Sequence, residues 1–250
     1  SDPGTNLVKQ SLVDQLAEHL LNYIVSRGLD DGDKLPSTAE ISRQFGVSVL
    51  VVREAIAVLV GRGVVGRHQG RESYVKRPGV EVFDSLFRVR AAQDGMSVTE
   101  MQQCRAPLEL QAVALAATAK TPTERRRALQ SPLDALKRAD TLNQLRDADQ
   151  AFHEAIFELS GNRALTLLIQ SLRSALRQGV EEHWRRSLTE FSSEPRESAI
   201  VRHERIFDAI VTGQRDAAVE AMAEHFLAWS EYVDFGQIAI VRSSVLRGES

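Results

Sequence analysis

The feature that most restricts this chain is a pair of helical patterns separated only by Gly46, Val47 and a second capping residue, Ser48. Upstream, Ser37-Thr38-Ala39-Glu40 sets a capping serine three residues ahead of a glutamate, which starts a helix that carries Ile41 to Phe45 and stops at the glycine. Downstream, Ser48 caps a second helix whose Val52, Ile56 and Leu59 recur at the spacing of one buried face. Helices joined by so short a turn must cross steeply. That is the helix-turn-helix arrangement, in which the later helix is the one placed to enter a DNA major groove.

The flanks complete the motif. Leu12, Leu16, Leu20, Tyr23 and Ile24 give Leu7 to Arg27 a helical period, ended by Gly28 and by the turn chemistry of Asp30-Asp31-Gly32-Asp33. After Gly61 and Gly63, Val64 to Val75 has β-branched ends around His68-Gln69-Gly70-Arg71, a short hairpin. Arg77-Pro78-Gly79 then reads as a linker, because proline cannot extend a strand ladder. Beyond Val80 every periodic segment is helical. Val98 to Ala119 is expected to kink or break at Pro107, and a weaker helix from Arg125 to Lys137 to break at Ser131-Pro132. Leu142 to Leu159, Asn162 to Trp184, Glu197 to Val211 and Arg215 to Phe235 follow. The expected fold is mostly α: a winged helix-turn-helix of three helices plus a β-hairpin wing over residues 7–77, then an all-helical antiparallel bundle over 80–240.

At 250 residues there is room for both domains. No run of eighteen apolar residues is present, so no membrane partner is expected, and no basic region leads into an apolar stretch at the start. The single Cys104 cannot form an internal disulfide, which fits a reducing, cytoplasmic setting. Net charge is −3, but Arg53 to Arg77 holds six basic and two acidic residues, leaving the rest of the chain at −7. A local basic stripe on an acidic body suits one face that meets phosphates, although an ordinary solvated face has the same composition.

In the second half, Asp149 and His153 stand four apart on one helix and project from the same face. Spacing alone allows a surface hydrogen bond, a satisfied core histidine or half of a metal site. His203 and His225 fall at corresponding levels of the last two antiparallel helices. A carboxylate with three imidazoles suits a borderline divalent ion, zinc first, with nickel or manganese as alternatives. His19, His68 and His183 lack such partners.

Several short motifs are similar to those of the GntR family of regulators. Asp33-Lys34-Leu35-Pro36-Ser37-Thr38, Phe45-Gly46-Val47-Ser48, Val52-Arg53-Glu54-Ala55-Ile56, Leu59, Gly63 and Val64 resemble its winged helix. Arg105 with Leu108-Glu109, Asp149-Gln150-Ala151-Phe152-His153, Ser160-Gly161-Asn162, and His203 followed by His225 resemble the FadR-type branch, whose helical effector domain is called FCD. The motifs run in the family's order over nearly the whole chain.

The resemblance implies that Asp149, His153, His203 and His225 fill the metal-ligand positions. Arg105 is then a carboxylate clamp for a small effector or an ion-pair partner of Glu109, and Asn162 lines the cavity or caps its helix. It further implies a homodimer on a double-stranded operator with two half-sites, and a repressor released by its ligand. DNA contacts are expected from Ser37, Arg43, Ser48, Val49, Arg53, Arg67, His68, Gln69, Gly70 and Arg71. The chain departs from the pattern where the family places arginine and polar residues after the turn: it has Val49-Leu50-Val51, which offer apolar contact only, for instance to thymine methyl groups. The competing readings are a winged helix used for protein contacts and a metal-dependent enzyme acting on small carboxylates. The enzyme needs a general base beside the metal, and neither Glu154 nor Glu158 sits on the ligand face.

Overall fold

The computed structural model describes residues 11–68, 72–172 and 193–227. By internal contacts the chain forms two compact units, Ser1–Phe83 and Asp84–Ser250.

In the first unit, α1 (Leu12–Arg27), α2 (Thr38–Phe45) and α3 (Val49–Gly61) precede a two-stranded antiparallel sheet, β1 (Val65–Arg67) and β2 (Ser73–Val75). Each helix starts where a serine side chain accepts a backbone N–H of the first turn: Ser11 from Asp14, Ser37 from Glu40 and Ser48 from Val51. At Ser37 the box is closed, because Glu40 reaches back to the Ser37 amide. Gly46 has φ +64, and Ser42 Oγ donates to the Val47 carbonyl at 2.6 Å, which ties the turn shut. α2 and α3 meet at 113°. Leu16, Leu20, Ile41, Val52, Ile56 and Leu59 lock the three helices together over Val65 and Val75 of the wing. Gly66 pairs with Tyr74 across the sheet. A Cβ on Gly66 would meet the Tyr74 ring at 2.2 Å, so only glycine lets that ring lie across the strand.

In the second part of the chain α4 (Val80–Asp94), α5 (Val98–Ala119), α6 (Pro122–Arg138), α7 (Leu142–Leu159), α8 (Arg163–Leu172), α9 (Ser193–Thr212) and α10 (Arg215–Leu227) follow. Capping boxes recur at Ser97–Glu100, Thr121–Glu124 and Thr141–Gln144, so the boundaries of α5, α6 and α7 are set by local chemistry. The expected breaks at Pro107 and Pro132 do not occur. Each proline sits inside a continuous helix, where the packing of Ala106, Leu110, Leu129, Leu133 and Leu136 outweighs one lost backbone hydrogen bond. Helix α6 also begins earlier than periodicity suggested, with Pro122 in its first turn. Phe152, Ile156, Phe157, Ile169, Ile206, Ile210 and Met222 fill the core between α7, α8, α9 and α10. The expected helix over Leu7 to Arg27 is seen from Leu12. Those ending at Trp184 and Phe235 are seen to Leu172 and Leu227, and their remainders lie outside the described residues. Among the described residues no single helix is long and apolar enough to cross a membrane.

Candidate metal centre and nucleic-acid interface

Helix α7 carries both Asp149 and His153, α9 carries His203 and α10 carries His225. Packing brings one ligand atom from each of the four to within 4.8 Å of all the others. The three histidines are buried and Asp149 is half-buried. His203 Nε2 lies 3.1 Å from Asp149 Oδ1, and His153 Nε2 lies 3.2 Å from His225 Nε2. Nitrogen and oxygen atoms bound at about 2.0–2.2 Å to one ion stand roughly 3–3.5 Å apart in neighbouring positions; these two pairs have that spacing, and His153 Nε2 stands 3.8 Å from Asp149 Oδ1.

The far side of each ring decides what the near side can do. His153 Nδ1–H donates to Glu109 Oε2 at 2.6 Å, and His203 Nδ1–H donates to the Ala199 carbonyl at 2.7 Å. With that proton committed, a neutral ring presents a lone pair at Nε2. At the centre the lone pairs of His153 Nε2 and His203 Nε2 therefore face the Asp149 carboxylate and His225 Nε2, while His225 Nδ1 is buried with no hydrogen-bond partner among the described residues. A lone pair set against a carboxylate is unfavourable by itself, and a divalent cation would satisfy both together with the remaining imidazoles, so the residues present fit a metal. Burial drives the His225 pKa well below its ordinary value, and the neighbouring His203 and His153 push it the same way against Asp149 and Glu109. A ring that stays neutral is a ring free to ligate.

Glu109 is the functional residue that sequence reasoning assigned only in part. It was paired with Arg105, and the Arg105 Nε–Glu109 Oε1 ion pair is present. Its second oxygen holds His153, a contact between residues 44 apart in sequence. The available signal was a glutamate on the stripe of α5 that also holds Ala106, Leu110 and Val113, where a carboxylate needs a partner. Because both oxygens are engaged, Glu109 is not a free general base. Glu154 accepts from Gln150 at 2.7 Å on its own helix.

Arg105 lies over the Phe226 ring, 5.3 Å from its centroid, and points a second nitrogen, Nη1, toward Gln102 at 3.4 Å. Asn162 Oδ1 accepts from the Leu165 amide at 3.1 Å and so caps α8.

In the first unit, α3 exposes Val49, Leu50, Arg53, Glu54 and Ala57. Arg43 is exposed on α2 with its Nε turned back to the Ala39 carbonyl at 3.4 Å. Arg67 reaches the Arg53 carbonyl at 3.4 Å, tying the wing to α3, and His68 stacks on Tyr74 with centroids 4.4 Å apart. Gln69, Gly70 and Arg71 lie outside the described residues. Ser37 and Ser48 sit at helix starts, where backbone amides attract phosphate oxygens.

The FCD domain family matches residues 100–228, and the family of bacterial regulatory proteins, gntR family, matches residues 12–75. The chain is 29% identical over 199 residues to the HTH-type transcriptional regulator LutR of Bacillus subtilis, covering 79% of this chain and 90% of that one. It is 27% identical over 225 residues to the Glc operon transcriptional activator of Escherichia coli K12, covering 87% of each. Among solved structures, Streptococcus agalactiae GntR superposes with a TM-score of 0.62 at 22% identity over 88% of this chain and 99% of that one, a likeness of fold.

Proposed function

The chain belongs to the FCD-containing branch of the bacterial gntR-family transcription regulators, and from that premise we propose that its second unit is a metal-dependent receptor for a small carboxylate whose binding changes the operator affinity of the first. Its relatives and domains mark it as a ligand-responsive transcription regulator and not as an enzyme. One relative is named an activator, so the proposed effect is a change in operator affinity of either sign.

The observation that carries the proposal is the convergence of Asp149, His153, His203 and His225 on one point in the helical core. A divalent ion held there by the four side chains, zinc by donor set, would take an oxygen ligand as a further donor by expanding beyond four-coordination. Asp149 balances its charge, and Glu109 and the Ala199 carbonyl fix the tautomers of His153 and His203. Arg105 supplies the neighbouring positive charge. Its Nη2 makes no hydrogen bond among the described residues and is free to meet a carboxylate oxygen. A ligand preference of about 1–3 kcal/mol between two arrangements of the DNA-binding units would change operator affinity roughly 5- to 150-fold. A homodimer presenting two winged helices to half-sites about one helical turn apart is the expected reader.

The test is calorimetric titration of the zinc-loaded full chain with a panel of short mono- and dicarboxylates, repeated after chelation and with Arg105→Ala. Binding that needs both the metal and Arg105 supports the receptor. Equal binding by the chelated protein rules it out.

A further inference from the structure

The leading edge of α3 is the part of the molecule that its family membership explains least. Ser48 caps the helix and its hydroxyl is occupied by the Val51 amide. Of the next four residues, Val51 and Val52 turn into the hydrophobic core while Val49 and Leu50 turn out, 43% and 64% exposed. Neither belongs to the hydrophobic core that the described residues of the first unit form. The first exposed residues that can donate or accept a base-edge hydrogen bond are Arg53 and Glu54, one turn later.

Two apolar side chains at this place match one partner in a major groove. Each base pair offers polar atoms there, but the thymine C5-methyl is the one apolar group. A second copy of the chain or a protein partner would not account for the setting. Exposed arginines stand on the same three elements, Arg53 one turn further along α3, Arg67 on the wing with a bond to the Arg53 carbonyl, and Arg43 on α2, and α2 meets α3 at the crossing that seats the later helix in the groove. An apolar helix start on a unit that also exposes these arginines complements methyl groups inset between phosphates.

We infer that Val49 and Leu50 read thymine through its methyl group, so that each half-site contains thymine at the base steps under the start of α3, with Arg53 reading an adjacent guanine edge or phosphate. The inference rests on the first unit being the DNA-binding one, and it deepens that reading by naming what is recognised. Specificity at those steps comes from desolvating a methyl group and not from a bidentate hydrogen bond. Burying one methyl corresponds to roughly a three- to fivefold change in affinity, smaller than the discrimination expected from an arginine–guanine pair.

The experiment selects binding sites for the full-length protein from a randomised duplex library, then replaces single thymines in the selected site by deoxyuridine, which removes the methyl and leaves every base-pair hydrogen bond in place. Fluorescence anisotropy at fixed salt reads the affinities for wild type, Leu50→Ala and Val49→Ala, with circular dichroism melts to check that these exposed positions leave the fold intact. The expected result is that deoxyuridine at one or two positions per half-site weakens wild-type binding about three- to fivefold and that at least one variant is insensitive to the same replacement. A selected site whose thymines can all be replaced without loss overturns the methyl reading and leaves DNA recognition standing. Variants that keep the full wild-type sensitivity overturn the assignment to Val49 and Leu50. Recovery of no sequence above the random pool overturns DNA recognition itself, and the methyl reading with it.

Discussion

Glu109 Oε2 accepts from His153 Nδ1 at 2.6 Å, with both side chains fully buried, while the other carboxylate oxygen accepts from Arg105. This one carboxylate joins the candidate anion-binding arginine to a candidate metal ligand. It also fixes which nitrogen of His153 points at the centre.

Glu109→Gln keeps the volume but removes the charge that holds the His153 proton on Nδ1. Metal affinity is expected to fall about 10- to 100-fold, measured by competition with a chromophoric chelator. An unchanged affinity would show that Glu109 serves only Arg105.

Metal should stabilise the folded chain by mass action, by about 3 kcal/mol when the free ion stands at a hundred times its Kd. Melting followed by circular dichroism should therefore show Tm rising with added zinc and falling with chelator in wild type. In His225→Ala and His203→Ala both responses should vanish.

The buried His225 gives a pH dependence of known sign. Its folded pKa is well below the ordinary value, so below about pH 6.5 the unfolded chain takes up a proton that the folded chain refuses. Stability of the metal-free protein should fall as pH drops from 7 to 5, by at most about 1.4 kcal/mol per pH unit from this group. Urea unfolding at several pH values reads the slope, and His225→Ala should flatten it. Metal affinity should weaken in the same direction, since protons and metal compete for the same lone pairs.

Arg53 is exposed on α3 beside the wing arginine Arg67. Arg53→Ala should weaken operator binding by about 1–3 kcal/mol if it reads guanine. If it meets phosphate, the loss should be uniform across sequences and the salt dependence shallower by one contact. Gel retardation over a range of salt separates the two.

The parts legible in the sequence are those written within four residues. Ser37 with Glu40, Ser48 ahead of α3, Gly46 in the turn and the Asp149–His153 pair each act on a near neighbour, so residue type and spacing suffice to read them. The prolines show where local rules mislead. Pro107 and Pro132 lack an amide wherever they stand, but the cost of that loss is small beside the apolar area α5 and α6 bury, and area belongs to the assembled core.

What only tertiary structure decided is how side chains far apart in sequence meet. His153 touches Glu109 across 44 residues and His225 across 72, and these contacts depend on the register of α5, α7 and α10 against one another, fixed by packing. Local chemistry specifies each rod and the face it must bury. The lateral fit of those faces, to within an ångström, turns an aspartate and three histidines into one centre.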